Sequence, residues 1–224
     1  MHEYREITRE EVVNDPRIRA YIDESDRSLS VLGYTEHGTK HSTIVAERAR
    51  EIMLSLGYKE RRAELAAVAG YMHDIGNAVG RVYHEQIGAA LSARILEDMG
   101  MDPVEVAAVA SAIGNNYDEE AEPVSAAGAA VILADKSDVR RDRVRNPSNI
   151  TFDVHDRVNY AAEYAEIHVD RDKKRVTLDL KIDSSIAKVM EYFEIFAERM
   201  ALCRKAVRYL GCNFELVIND TEML

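Results

Sequence analysis

"LAAVAGYMHDIG", Leu65–Gly76, is apolar or small for eight residues and then sets a histidine beside an aspartate. Leu65, Ala66, Ala69 and Met72 recur at helical spacing, so the run predicts a helix with a buried face. His73 follows Ala69 by four and Ala66 by seven, which places it on that same face. Burying an ionisable side chain without a partner costs several kcal/mol or forces it to neutralise. Something must therefore hold His73 and Asp74.

Two further polar groups interrupt apolar helical faces. His41 precedes Ile44 and Val45 by three and four residues, in a stretch whose apolar positions continue through Ala49, Ile52, Met53 and Leu56 to a stop at Gly57. Asp135 follows Ile132 and Val131 by three and four, at the end of "SAAGAAVILADK". Other helices are expected at "TREEVV", with Thr8 and Glu11 as a capping box, and after Pro16. "HEQIGAALSARILEDMG" and "DPVEVAAVASAIG" follow, the second with Asp102 as cap and Glu105 at its third position. Past "RNPSN" the pattern changes. "RVTLDLKI", Arg175–Ile182, alternates strictly and predicts a half-buried strand paired with "YAEIHVD" across "RDKK". A long amphipathic helix from about Ser184 to Leu210 and a last strand, "FELVI", close the chain. The expected fold is mainly α: a helical domain, 1–145, followed by a β-β-α-β (α+β) appendage, 146–224.

Taken singly, a histidine on an apolar face is more often a core residue with a satisfied hydrogen bond. Four convergent ligands, His41, His73, Asp74 and Asp135, would account for all the anomalies at once. Two imidazoles and two carboxylates suit one divalent ion, Mn, Fe, Co, Ni or Zn, with Mg less favoured by imidazole.

"HSTIVAERA", "MHDIGNAVG" and "LADKSD" resemble, in that order, the metal motifs of the HD-domain phosphohydrolase superfamily, across roughly Thr35 to Arg145. The resemblance implies an HD-type helical metal-binding domain with His41, His73, Asp74 and Asp135 as ligands. His37 competes for the first place, but the "HSxxVA" text surrounds His41. It also implies hydrolysis of a phosphate ester, possibly a nucleotide, through a metal-activated water, with Asp74 orienting that water. His84, ten residues after Asp74, corresponds to a histidine that in related proteins serves substrate phosphate, a second metal or the leaving group; otherwise it is an exposed first-turn residue.

"DKSDVRRDRVR" forms a basic island in an acidic chain. Lys136, beside the ligand Asp135, is the best candidate to hold phosphate, with Arg140 and Arg143 next. The plainer alternative is a solvated helix end whose cations pair with Asp138 and Asp142. "VHDRV" repeats a His-Asp pair, His155 and Asp156, but lacks the apolar lead-in and is assigned no metal. Tyr192, Phe193, Phe196 and Met200 read as packing. Asn115 and Asn116 stand where multinuclear relatives offer another histidine, which predicts a mononuclear site.

The net charge of −11 disfavours nonspecific binding to nucleic acid or anionic membranes. No apolar run approaches the ~20 residues that span a bilayer. The N-terminal text lacks a signal-peptide core, and Cys203 and Cys212 form no paired motif, so a cytoplasmic protein with reduced thiols is expected. The expected partner is a small phosphorylated substrate, and a homodimer is compatible with the appendage. A metal-bearing nucleotide- or phosphate-binding regulatory module without turnover is the rival reading.

Overall fold

Nine helices and four strands are present among the residues that the computed structural model describes, 4–116, 122–146 and 154–223. The helices α1 (Arg9–Asn14), α2 (Pro16–Val31), α3 (Thr39–Ser55), α4 (Glu60–Met72), α5 (His84–Asp98), α6 (Pro103–Gly114) and α7 (Ala126–Lys136) come first. Short 3-10 turns at Ile75–Ala78 and Arg141–Arg143 punctuate them. After α8 (Val154–Ala161) come β1 (Ala162–Asp170), β2 (Arg175–Ile182), α9 (Val189–Tyr209), β3 (Asn213–Ile218) and β4 (Thr221–Glu222). The sheet order is β1-β2-β3-β4, with β2 and β3 parallel and the outer pairs antiparallel. The short β4 is an addition to the expected β-β-α-β order.

Local chemistry sets most element ends. Thr8 and Glu11 form the expected capping box. Asp102 caps α6 through Val104 N–H, but Glu105 pairs with Arg61 rather than returning to the cap. The last helix begins later than its periodicity predicts. Asp183 accepts from the Ser185 backbone and hydroxyl, and its carbonyl takes the amides of Ile186 and Ala187, so a turn precedes α9.

The core is continuous. Ala46, Ala66 and Val131 of the first helices share one buried cluster with Leu178, Phe196 and Ile218 of the later segment. α3 and α4 approach closely where Gly70 faces Ala46; a Cβ at Gly70 would lie 3.1 Å from the Ala46 Cα. That approach brings the His41 and His73 rings together edge to face, with centroids 5.2 Å apart. α7 packs on both α3 and α4, and α9 packs on α7. Arg48 of α3 ties the segments together, donating to the Ser137 carbonyl (2.9 Å) and to the Ala165 carbonyl of β1 (2.5 Å).

Candidate metal centre

His41 lies in the first turn of α3, His73 and Asp74 directly follow α4, and Asp135 lies in the last turn of α7. Their polar atoms converge. His41 Nε2 lies 3.4 Å from His73 Nε2, 3.4 Å from Asp135 Oδ1 and 3.7 Å from Asp74 Oδ2. His73 Nε2 lies 3.4 Å from Asp74 Oδ2 and 3.7 Å from Asp135 Oδ1. Ligands about 2.1 Å from a common ion at tetrahedral angles stand about 3.4 Å from one another. The spacing therefore fits a first-row divalent ion. His41, His73 and Asp135 form the tightest triad, and Asp74 joins through its contacts with both imidazoles.

Each donor is aimed by a second bond. His73 Nδ1–H donates to the Gly70 carbonyl (2.8 Å), which leaves Nε2 as the lone-pair nitrogen facing the cluster. His41 Nδ1–H donates to Asp138 Oδ2 (2.7 Å) with the same result. A carboxylate behind a ligating histidine fixes its tautomer and raises its basicity. Asp138 is itself held by Arg140, at 2.6 Å to Oδ1 and 3.2 Å to Oδ2, and by Arg143 at 3.6 Å. Asp74 Oδ1 accepts from Asn77 (3.1 Å), and the Asp74 carbonyl accepts from the Ser25 hydroxyl (3.1 Å).

The electrostatics call for a cation at this point. Burial alone would drive both carboxyls toward the neutral form. The imidazoles, together with Lys136 beside Asp135, outweigh it and hold Asp74 and Asp135 well below the usual carboxylate range. Burial likewise disfavours the His73 imidazolium, but Asp74 and Asp135 push its pKa up to about 10. Without a metal, a proton on His73 compensates the two carboxylates. A divalent ion supplies that charge and frees the imidazole to ligate.

A small cavity of about 50 Å³ opens onto the cluster, and His73, Asp74 and Asp135 line it with His84 and Lys136. Lys136 Nζ lies 2.9 Å from Asp135 Oδ2. His84 is buried rather than exposed on its helix. The chain reaches it through Tyr83, whose φ of 60° turns the backbone into α5. Gly76 lies directly against the His84 carbonyl, with no room for a Cβ. His84 Nδ1–H donates to the Arg81 carbonyl (3.0 Å), and Nε2 accepts from Arg81 Nη1 (2.9 Å). Burial, with Arg81 beside it, lowers His84 to about 4 against the pull of Asp74, so the ring is neutral.

The island after Asp135 divides. Arg143 lines the cavity. Arg140 does not: its guanidinium is taken up by Asp138, Asp142 and Glu36, so its expected contact with substrate gives way to the pairing of a helix end. Arg145 goes to Asp26. His37 sits against His41, ring centroids 5.2 Å apart, and its Nδ1 lies 2.7 Å from the Thr35 carbonyl. It lines the cavity but stands outside the ligand triad. Asn115 returns to the Ser111 carbonyl (2.9 Å), whereas Asn116 is buried in the cavity wall with its Oδ1 unbonded.

Comparison with known protein families matches residues 38–160, more than half of the chain, to the HD domain. The chain belongs to the HD domain family. An uncharacterized protein of Methanocaldococcus jannaschii is 24% identical over 215 residues, covering 85% of this chain and 82% of that one. HD domains are helical and bind divalent metals, and the small C-terminal sheet makes this chain mainly rather than wholly α. No helix among the described residues is long and apolar enough to cross a membrane.

Three residues of this HD centre are not among the expected site residues, although Asp138 closes the "LADKSD" motif. Asp138 is three positions past a ligand, a spacing that places it one turn on and signals a supporting role. Arg81 is an isolated arginine in a loop, and Arg199 comes from α9, more than sixty residues beyond the last ligand; both line the cavity. Nothing local in the sequence marks either.

Proposed function

We propose that the chain hydrolyses a small phosphate ester with one divalent ion held by His41, His73, Asp74 and Asp135. The observation that carries this is the meeting of two imidazole nitrogens and two carboxylates at 3.4–3.7 Å, beside a cavity lined by cations. When bound, such an ion supplies a water whose pKa falls from ~16 toward ~7–9 and polarises a phosphoryl oxygen.

The chain's own side chains do the rest. Lys136 and Arg143 line the cavity as donors for phosphate oxygens, Lys136 as a point charge and Arg143 as a fixed fork. Asp74 accepts the hydrogen of a water held next to it. His84, neutral and bonded to Arg81, serves to position that guanidinium rather than to deliver a proton.

The same contact supports a single ion. A second ion would need His84 Nε2, and Arg81 already donates to it at 2.9 Å. A fixed positive charge there repels a second dication. Asn116 offers one uncharged oxygen.

Metal counting by elemental analysis, followed by phosphate release from a phosphoester panel with Mn, Fe, Co, Ni or Zn, tests the reading. One ion per chain and turnover of at least one ester are expected. Two tightly held ions would overturn the mononuclear site. Tight binding of phosphoesters with no release would identify a binding module instead.

A further inference from the structure

A second cavity of about 350 Å³ abuts the metal centre. His37, Arg143 and Arg199 line both cavities, so the two share a wall. The larger one is closed by Leu32 and Tyr34 before α3, by Asp156 and Asn159 of α8, and by Phe196 of α9. Its volume falls in the range of small-molecule sites, about 300–1,000 Å³, whereas the metal cavity has room for little more than a phosphoryl group.

The lining is chemically mixed. Leu32, Tyr34 and Phe196 present apolar and aromatic surface, and Arg199 stacks 4.7 Å from the Phe196 ring centroid. Asp156 and Asn159 offer acceptor oxygens. A carboxylate there repels a second phosphate and attracts hydroxyl or amine donors. At the shared wall, Arg143 is only 3% exposed and its Nη2 has no hydrogen-bond partner. A buried guanidinium nitrogen left unbonded is costly, and an anion at the junction relieves it.

We propose that this cavity binds the alcohol part of the phosphoester: a flat ring carrying hydroxyl or amine donors, with its single phosphate at the junction beside Arg143 and Arg199. This rests on the phosphohydrolase reading above. It makes the C-terminal segment part of the substrate site, since α8 and α9 supply most of the polar and aromatic wall.

The test uses the full chain loaded with manganese and three probes that the chain cannot hydrolyse: methylphosphonate, phenylphosphonate and adenosine, each titrated by calorimetry. Phenylphosphonate should bind about tenfold more tightly than methylphosphonate, the worth of burying one aromatic ring. Asp156→Ala should weaken adenosine by about tenfold, as for a lost hydrogen bond to a charged group, and leave methylphosphonate unchanged. Phe196→Leu, which keeps the core filled, should erase the phenyl advantage. Equal affinities for the two phosphonates, or an Asp156→Ala loss shared by methylphosphonate, would overturn the proposal. If neither phosphonate binds but adenosine does, and Asp156→Ala abolishes it, the cavity stands and the phosphate reading falls. If none of the three binds, both fall.

Discussion

The ligand cluster and the cationic wall facing it are drawn from different elements. Each ligand is aimed by a partner close at hand: His73 by Gly70 one turn back, Asp74 by Asn77 three residues on, His41 by a carboxylate one turn past another ligand. Three of the cations come from elements that hold no ligand. Arg81, in a loop, is held by Asn77 and His84 beside it, Arg143, in a 3-10 turn, donates to the distant Glu36 carbonyl, and Arg199 comes from the last helix. The aiming of the ligands ties metal affinity to α3, the end of α4 and α7. The cations sit on other elements, so the substrate side can change while the metal side stays fixed.

The sharpest way to break that contrast is to remove a ligand. His73→Ala or Asp135→Ala leaves the remaining donors buried and the ion with three or fewer protein bonds. Metal affinity should fall by about a hundredfold or more, and thermal stability in the presence of metal should fall with it, because binding free energy is folding free energy. Elemental analysis and melting with and without added ion check this. Full metal content in both variants would dissolve the cluster as a functional unit.

Asp138 comes next, because it sharpens the boundary between the two regions. It touches no substrate position, yet it fixes His41. Asp138→Asn keeps the shape but can present an N–H to His41 Nδ1, and loss of such outer partners costs about 10–100-fold in metal affinity. Metal titration by competition with a chelator reads the change. At saturating metal, KM should stay as in the parent chain, which a substrate-binding role would not allow.

Proton linkage probes the ligand side alone. In the metal-free protein His73 titrates near 10, above the ordinary imidazole value of about 6.5. Its contribution to folding is therefore complete below about 6.5 and is lost as pH rises through about 10. An ion must displace this proton, so apparent metal affinity should rise about tenfold per pH unit between about 7 and 9, with one proton released per ion. Calorimetry in buffers of differing ionisation enthalpy counts the proton. Release of none would show that His73 is already neutral, and the charge argument for the ion would fail.

Legibility follows the same division. The helices that carry the ligands were plain in the sequence, because apolar spacing and local caps decide them, and "HSTIVAERA", "MHDIGNAVG" and "LADKSD" sit on those helices. His84 is legible as a candidate, but its burial is not, because it depends on Gly76 meeting the first turn of α5. The late start of α9 was hidden by a polar turn around Asp183 that leaves the helical spacing intact. Arg81 and Arg199 are not legible, since neither belongs to a motif or pattern that marks a site. The basic island shows this best: five cations in one stretch of sequence end in four different environments.

Arg140 gives the smallest effect and the finest discrimination. Read as a local cation near a ligand, it belongs with Lys136 as a phosphate donor. In the fold its guanidinium bridges Asp138, Asp142 and Glu36, and it lines neither cavity. Its influence must then pass through Asp138, which Arg143 also supports. Arg140→Ala should weaken metal binding only a few-fold, within the ~1 kcal/mol expected when one of two charged partners is lost at a partly screened site. KM at saturating metal should be unchanged. Lys136→Ala should do the reverse, raising KM while the ion stays bound. If Arg140→Ala instead raises KM with metal affinity intact, the guanidinium leaves its carboxylates for substrate, and the cationic wall extends one residue farther than the fold alone shows.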